Sequence, residues 1–361
     1  MLAIAILTSA FFLNLELKRK EKEGLLGSTL VKTQVGAPAT PGELILNALF
    51  GFLVGFKLLH IALNFSAFQA DAPGFIFSKE GNILGGIIGA LFLAGMKYRE
   101  KEKEKEKLPK IKTETIKVYP SDRIGDITLI AAFTGILGAK FFAIFEDMSN
   151  LTIANFFDAL FSGGGLAIYG GLIGGFIGVV WYLKKHRIDV YQVADAVAPA
   201  LIIGYGVGRI GCQLSGDGDW GIINELPPPS WWIFPDWFWA FDYPQNVLNQ
   251  GVLIEGCEGN YCRKLEKPVY PTPLYEMILS FLIAGILWLL RKRLPVPGML
   301  FCVYLVLNGF ERFWIEKIRV NAKYDILGFQ PTQAEVIAVL LFLIGCIGYF
   351  VLSNKGKKTS T

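Results

Sequence analysis

The sequence predicts an all-α polytopic membrane protein of about nine transmembrane helices, a seven-helix core plus an N-terminal hairpin, with a small head between two of the spans. Three observations predict it. Hydrophobic residues make up 53% of the 361 residues and charged residues only 18%, whereas soluble proteins carry about 25% charged; mean hydropathy is +0.44. Nine apolar runs approach the ~20 residues that cross a bilayer. The basic residues then fall mainly on alternate sides of those runs.

The runs cover 1–17, 42–66, 82–97, 124–146, 163–183, 189–207, 273–290, 297–315 and 333–352. The first resembles a signal peptide in length, but Lys18-Arg19-Lys20 follow it and no basic segment precedes it. It reads as a retained span with its N-terminus outside. The run at 82–97 passes into alternating Lys and Glu up to Lys107, which reads as a solvated helix end. Glycine dominates the start of the fifth run: Gly163 to Gly178 holds eight glycines in sixteen residues. Its overlapping small-x-x-x-small spacings predict close helix packing, and Tyr169 is its one polar side chain.

With the N-terminus outside, 24 of the 35 Lys and Arg residues fall on the cytoplasmic side and nine outside, while Lys57 and Lys140 fall within spans. Each long basic cluster is cytoplasmic, as the positive-inside rule requires, and the C-terminus is cytoplasmic too. The outer exceptions include Arg209 at the exit of the sixth span and Arg312, Lys317, Arg319 and Lys323 between the last two.

An internal repeat joins the first half. Gly42, Glu43, Ala48, Phe50, Gly55 and Lys57 align with Gly125, Asp126, Ala131, Phe133, Gly138 and Lys140, an offset of 83 residues. This reads as a duplicated two-helix hairpin. It divides the chain into an N-terminal duplicated hairpin, 1–81, and a core, 82–361, that includes the head, 208–272. Eight of 17 prolines and five of eight tryptophans lie from Asp217 to Pro273, almost all in the head, a composition suited to a membrane–water interface or to an extended peptide. Cys257 and Cys262 are placed to pair in an oxidising compartment, whereas Cys302 and Cys346 read as core residues.

Two histidines, His60 and His186, and no C-x-x-C or Cys/His cluster disfavour metal chemistry and histidine-dependent base catalysis. No metal, cofactor or nucleic-acid partner is expected. Gly206-Val-Gly208-Arg-Ile-Gly211 fits the dinucleotide pattern formally, but it ends an apolar helix and lacks the strand that pattern requires. It reads better as backbone kept open beside Arg209, so that an anionic headgroup can approach a guanidinium able to grip phosphate through two hydrogen bonds; the plain alternative is a snorkelling arginine. At helical spacing Asn308, Arg312, Glu316 and Arg319 share one face. Polar groups so aligned must face protein, water or a polar ligand; a structural Arg–Glu pair is the plain alternative, and Lys140 is a further candidate for the same layer.

These residues resemble the prolipoprotein diacylglyceryl transferase family. G-R-I-G-C-Q-L-S-G-D-G-D-W-G at 208–221 is similar to the family's G-R-x-G-N-F-x-N-G-E-x-x-G. A-I-Y-G-G-L-I-G-G is similar to its H-G-G-L-x-G segment, and P-T-P-L-Y-E at 271–276 and R-F-W-I-E-K-I-R at 312–319 match two further blocks in order. The resemblance covers about 84–355. It implies transfer of a diacylglyceryl group from phosphatidylglycerol to the lipobox cysteine thiol of a prolipoprotein signal peptide, at the outer face of the bacterial cytoplasmic (inner) membrane, with glycerol phosphate released. The N-terminus would then be periplasmic, and membrane lipid and the prolipoprotein the partners. A thiol is a nucleophile as thiolate, which lipid burial disfavours and nearby arginine charge favours; the same charge stabilises a departing phosphate.

By position the resemblance implies catalytic roles for Arg209, Arg312, Glu316 and Tyr169, and substrate contacts from Arg209, Gly208, Gly211, Gly170, Lys140, Asp217, Glu276, Arg319 and Gln333. The departures are specific. Tyr169 stands where most members have His, Cys212 replaces Asn, Asp217 replaces Glu, and one residue is inserted around Gly218-Asp219. The alternative reading is a paralogue that binds phospholipid or lipoprotein without turnover. A transporter fits less well, because it needs ionisable groups at the membrane midplane and these gather at the outer ends of spans.

Overall fold

The computed structural model describes residues 1–35, 37–70, 75–76, 78–107, 112–146, 167–321, 324–325 and 330–359. Gly163 to Gly165, the start of the fifth apolar run, and Lys323 lie outside the described residues. Among the described residues there are nine helices of 18 residues or more, one for each apolar run. They are α1 (Leu2–Lys22), α2 (Pro41–Leu63), α3 (Ile83–Lys107), α4 (Ile124–Glu146), α5 (Ile168–Lys185), α6 (Val190–Ser215), α7 (Thr272–Leu290), α8 (Met299–Glu316) and α9 (Gln333–Thr359). The protein is a multi-pass membrane protein; five of these helices are long and apolar enough by themselves to span. Leu, Ile and Phe side chains stay exposed along most of them, as lipid-facing surfaces do.

The chain forms two compact units, Gly27–Ile188 and Met1–Leu26 with Asp189–Thr361. In the first, β1 (Thr29–Val35) pairs antiparallel with β2 (Lys112–Val118), and each strand precedes a pair of packed helices. The pairs are α2 with α3 and α4 with α5. Thr40 and Glu43 cap each other reciprocally ahead of α2, with Pro41 at the first helical position. A Cβ on Gly55 would strike the Gly85 carbonyl and one on Gly89 the Gly51 carbonyl. The second pair repeats this: Gly138 lies against the Gly170 carbonyl and Gly174 against that of Thr134. Helices without side chains at the seam approach until their backbones touch. Gly138→Ala will therefore lower stability by about 1–3 kcal/mol, the scale of overpacking, whereas Gly125→Ala, whose added methyl meets open space, will be close to neutral; thermal unfolding in detergent checks both.

The repeat also explains a lysine within a span. Lys57 Nζ donates to the carbonyls of Phe75, Ser78 and Glu80 at 3.1, 2.6 and 2.7 Å and to Ser78 Oγ at 3.1 Å. It ties down the segment between α2 and α3. Its repeat partner Lys140, buried at 3% exposure, stands at the same place on α4.

In the second unit α1 packs on α6, α6 on α7 and α8, and α8 on α9. Small residues bring α1 and α6 together: a Cβ on Gly204 would meet Ser9 Oγ and the Ala5 carbonyl. Ala198, Ile202 and Ile203 of α6, Ile283, Ala284 and Leu287 of α7 and Leu300 of α8 form the buried apolar core. Asp195, buried on α6, fixes the start of α8 by accepting from the Gly298 and Phe301 amides at 2.8 and 2.9 Å. At the same level Lys20 donates to Gln192 at 2.6 Å, and Glu16 pairs with Arg19 and Arg291 at 2.9 and 3.1 Å.

Between α6 and α7 lies the head. Its segment 221–223 is stitched on both sides, the Gly221 amide donating to the Tyr270 carbonyl at 2.9 Å and the Ile222 amide to the Ile318 carbonyl at 2.8 Å. Two-residue strands β3 (Val252–Leu253) and β4 (Arg263–Lys264) pair further out, and Cys257 and Cys262 form a disulfide. Trp231, Trp232, Phe234 and Trp239 stack edge to face, with Trp231 and Ile233 strongly exposed. Cys302 is buried but Cys346 is exposed on α9, so only the former is a core residue.

Candidate functional site

The site forms where α6, α7 and α8 end beside the head, and its centre is a carboxylate. Glu276, on the second turn of α7, is fully buried. Its oxygens lie 2.8 Å from Arg209 Nε, 2.8 Å from Arg312 Nη1 and 3.2 Å from Arg319 Nη1. A buried carboxylate is tolerated only when paired, and here three guanidiniums converge on it. Arg312 also holds Glu316, one turn along α8, at 2.9 Å, and Glu316 accepts from Asn321 Nδ2 at 2.5 Å. Helical spacing brings Arg312 and Glu316 together, but Arg319, expected on the same helical face, lies beyond the end of α8 and joins the layer from a bridge to Gly221.

Arg209 sits near the end of α6, its guanidinium 4.9 Å from the centroid of the Tyr205 ring, a cation–π contact. Helix α6 stops a turn and a half later at Gly216, whose φ of +58° favours glycine. The chain then turns so that Asp219 places one oxygen on Arg209 and the other on Arg319. Thr272 Oγ1 donates to the Asp219 carbonyl at 2.7 Å, and Gly221 bridges to Arg319. Burial works to raise the Asp219 carboxyl, but Arg209 and Arg319 outweigh it and hold the group below the usual carboxylate range.

Most of the other expected residues are placed by their own elements. Gly208 is open, with nothing within 4 Å of an added Cβ, whereas Gly211 packs against Met1. Asp217 is exposed and takes the Asp219 amide at 3.4 Å, so the acid on the arginines is Asp219, where the sequence reading places a one-residue insertion. Gln333 is exposed at the first residue of α9, next to a cap formed by Thr332 and Glu335, with Glu335 also 2.6 Å from Lys317. Tyr169, Gly170 and Lys140 belong to the other unit, where Gly170 lies against Gly138 and Phe142.

Sequence reasoning gave Glu276 only a supporting role and missed Asp219 and Glu311. Glu311 is 4% exposed, and both its oxygens lack a hydrogen-bond partner among the described residues. By spacing it continues the face of Leu300, Tyr304 and Leu307 that covers the apolar core. A carboxyl quoted in an apolar block carries no signal of whether a partner will reach it.

The arrangement favours an anion. Cys212, Asp217 and Asp219 bring ligand atoms within 4.8 Å of one another, but Asp219 is committed to two arginines and their charge opposes a cation there. Beside the layer, a cavity of about 310 Å³ is lined by Ile210, Leu214, Trp237, Phe241, Leu274 and Met277, among others. Gln213 and Tyr243, joined at 2.9 Å, are its polar members. Charged layer and apolar cavity together suit an amphiphile with an anionic headgroup.

Fold and site thus define a multi-pass membrane protein with a buried arginine cluster at the head end of its helices. The family model for prolipoprotein diacylglyceryl transferase matches residues 83–351, and the chain belongs to that family. Three relatives are named phosphatidylglycerol–prolipoprotein diacylglyceryl transferase. That of Prochlorococcus marinus is 31% identical over 235 residues, 62% of this chain and 71% of the relative. That of Leptospira interrogans is 26% identical over 286 residues, covering 65% and 80%, and that of Staphylococcus xylosus 31% over 230, covering 63% and 74%.

Proposed function

We propose that the chain is a phosphatidylglycerol–prolipoprotein diacylglyceryl transferase, working at the outer face of the bacterial cytoplasmic membrane with its N-terminus outside and its C-terminus inside. The observation that carries this reading is the convergence of Arg209, Arg312 and Arg319 on one layer beside an apolar cavity. In the reaction the acceptor cysteine's sulfur bonds to the terminal glyceryl carbon of the lipid, and that carbon's bond to the phosphate oxygen breaks. Glycerol phosphate leaves with the electron pair, and the thiol proton passes to solvent or to the departing phosphate.

Arginines suit both ends of this exchange. They hold the phosphodiester by paired hydrogen bonds, favour thiolate over thiol, and stabilise the charge that grows on the leaving group. Arg209, paired with the loop residue Asp219, is assigned the phosphate, with Gly208 leaving room for its approach. Arg312 and Glu316 fix the far side of the layer, and Glu276 orients all three guanidiniums. The likeness of Lys140 to the loop-tying Lys57 supports a positioning role for it.

The test is a strain depleted of its own transferase. Expression of this chain is expected to restore a diacylglyceryl adduct on the cysteine of a lipobox peptide, read by mass spectrometry. A chain that reaches the membrane, binds phosphatidylglycerol and yields no adduct is the binding-only paralogue that Tyr169, in place of the family histidine, leaves as the competing reading.

A further inference from the structure

Three arginines in the layer face three carboxylates, those of Asp219, Glu276 and Glu316. An arriving anion must therefore take the place of one already there. Glu276 cannot yield, because its side chain is 0% exposed and it contacts all three guanidiniums. Glu316 is as deeply enclosed and is held by Arg312 and Asn321. Asp219 differs on each count. Its side chain is 35% exposed, it lies on a loop rather than a helix, and its two oxygens are divided between Arg209 and Arg319. Two guanidiniums bridged by two oxygens of one anion is also how a phosphate would sit between them.

We propose that Asp219 is a built-in substitute for the phosphate group, occupying the Arg209–Arg319 pair between turnovers and yielding it to a phosphodiester anion or to the phosphomonoester product. The proposal rests on the reading of this layer as the phospholipid site. Exchange needs only a side-chain swing. The backbone of Asp219 stays tied through its carbonyl to Thr272, and Gly218 beside it, with φ at +96°, is exposed. Held below the ordinary carboxylate range by the two arginines, Asp219 is an anion at neutral pH and so a true competitor. With Glu276 shared among three guanidiniums, Asp219 supplies a second counter-charge to the largely buried Arg209 and Arg319 when no lipid is bound. The consequence is a weaker apparent affinity, reduced by the fraction of molecules in which the carboxylate has swung away.

The full-length protein, reconstituted in phosphatidylcholine nanodiscs, is titrated with glycerol phosphate by calorimetry and assayed with phosphatidylglycerol and a lipobox peptide. Asp219→Asn is expected to tighten glycerol phosphate binding and lower the KM for phosphatidylglycerol, each by about two- to fivefold, the scale of one partly exposed ion pair. Asp219→Glu, which keeps the competing charge, is expected to give none of this tightening. If Asp219→Asn does not fold, Asp219→Ser carries the same expectation. Unchanged or weaker binding in the neutral variants, with Arg209-dependent binding intact in the wild type, overturns the substitute role and leaves the phospholipid reading standing. A wild type that neither binds glycerol phosphate through Arg209 nor transfers overturns both.

Discussion

Replacing Glu276 with alanine will be the most damaging single change in the protein. The three guanidiniums within 3.2 Å of its oxygens would lose the one fully buried carboxylate they share. Removing one partner of a buried ion pair costs about 3–5 kcal/mol, and here one removal takes a shared counter-charge from three guanidiniums, leaving them only Asp219 and Glu316. Chemical denaturation of the solubilised protein should show a loss of that size, with transfer activity falling below detection. Glu276→Gln keeps the shape and removes the charge, so it separates packing from electrostatics. It is expected to recover little stability and no activity. A double variant, Glu276→Gln with Arg312→Met, should lose less stability than the two single changes summed, because the charge left unpaired by one is removed by the other.

Arg209→Ala is the second. Loss of a single preorganised donor to a developing negative charge lowers kcat by about 10²–10³, and under the proposed assignment Arg209 would also hold the ground-state phosphate, so the KM for phosphatidylglycerol should rise as well. Arg209→Lys is expected not to rescue. Arg209 contacts Asp219 and Glu276 at once while lying over the Tyr205 ring, and a single ammonium cannot meet all three. Recovery of kcat by lysine to within tenfold of wild type would show that point charge, not planar geometry, is what the site uses.

How much of this was readable in the sequence depended on the range of the interaction. Spans were readable because hydropathy is a local property, and each of the nine apolar runs became a helix. The Arg312–Glu316 pair was readable because i and i+4 meet on any helix. The Cys257–Cys262 disulfide lay close in the chain. Glu276 was not readable as the centre, since two of its partners stand 36 and 43 residues away and nothing in a one-dimensional pattern brings them together. The repeat was read as joining the first two apolar runs, but the helices that touch are α2 with α3, while α1 seats on α6 through Ala5, Ser9 and Gly204. Small residues mark a seam without naming the partner. Asp219 was noticed only as an insertion, and its side chain acquires meaning from where α6 ends.

The ribbon of β1 and β2 carries a last consequence. Its register places Lys32 opposite Thr115, which is Lys32's own counterpart at the repeat offset of 83, and pairs Thr29 with Val118 and Val35 with Lys112 symmetrically about that centre. Such a pairing is self-complementary, the kind that two separate copies of one strand make across a two-fold axis. Joining both copies in one chain turns a concentration-dependent association into an intramolecular one. Duplication thus gave this chain a permanent internal dimer, whose ribbon forms at any expression level and leaves the two copies free to diverge in side chains that backbone pairing does not read.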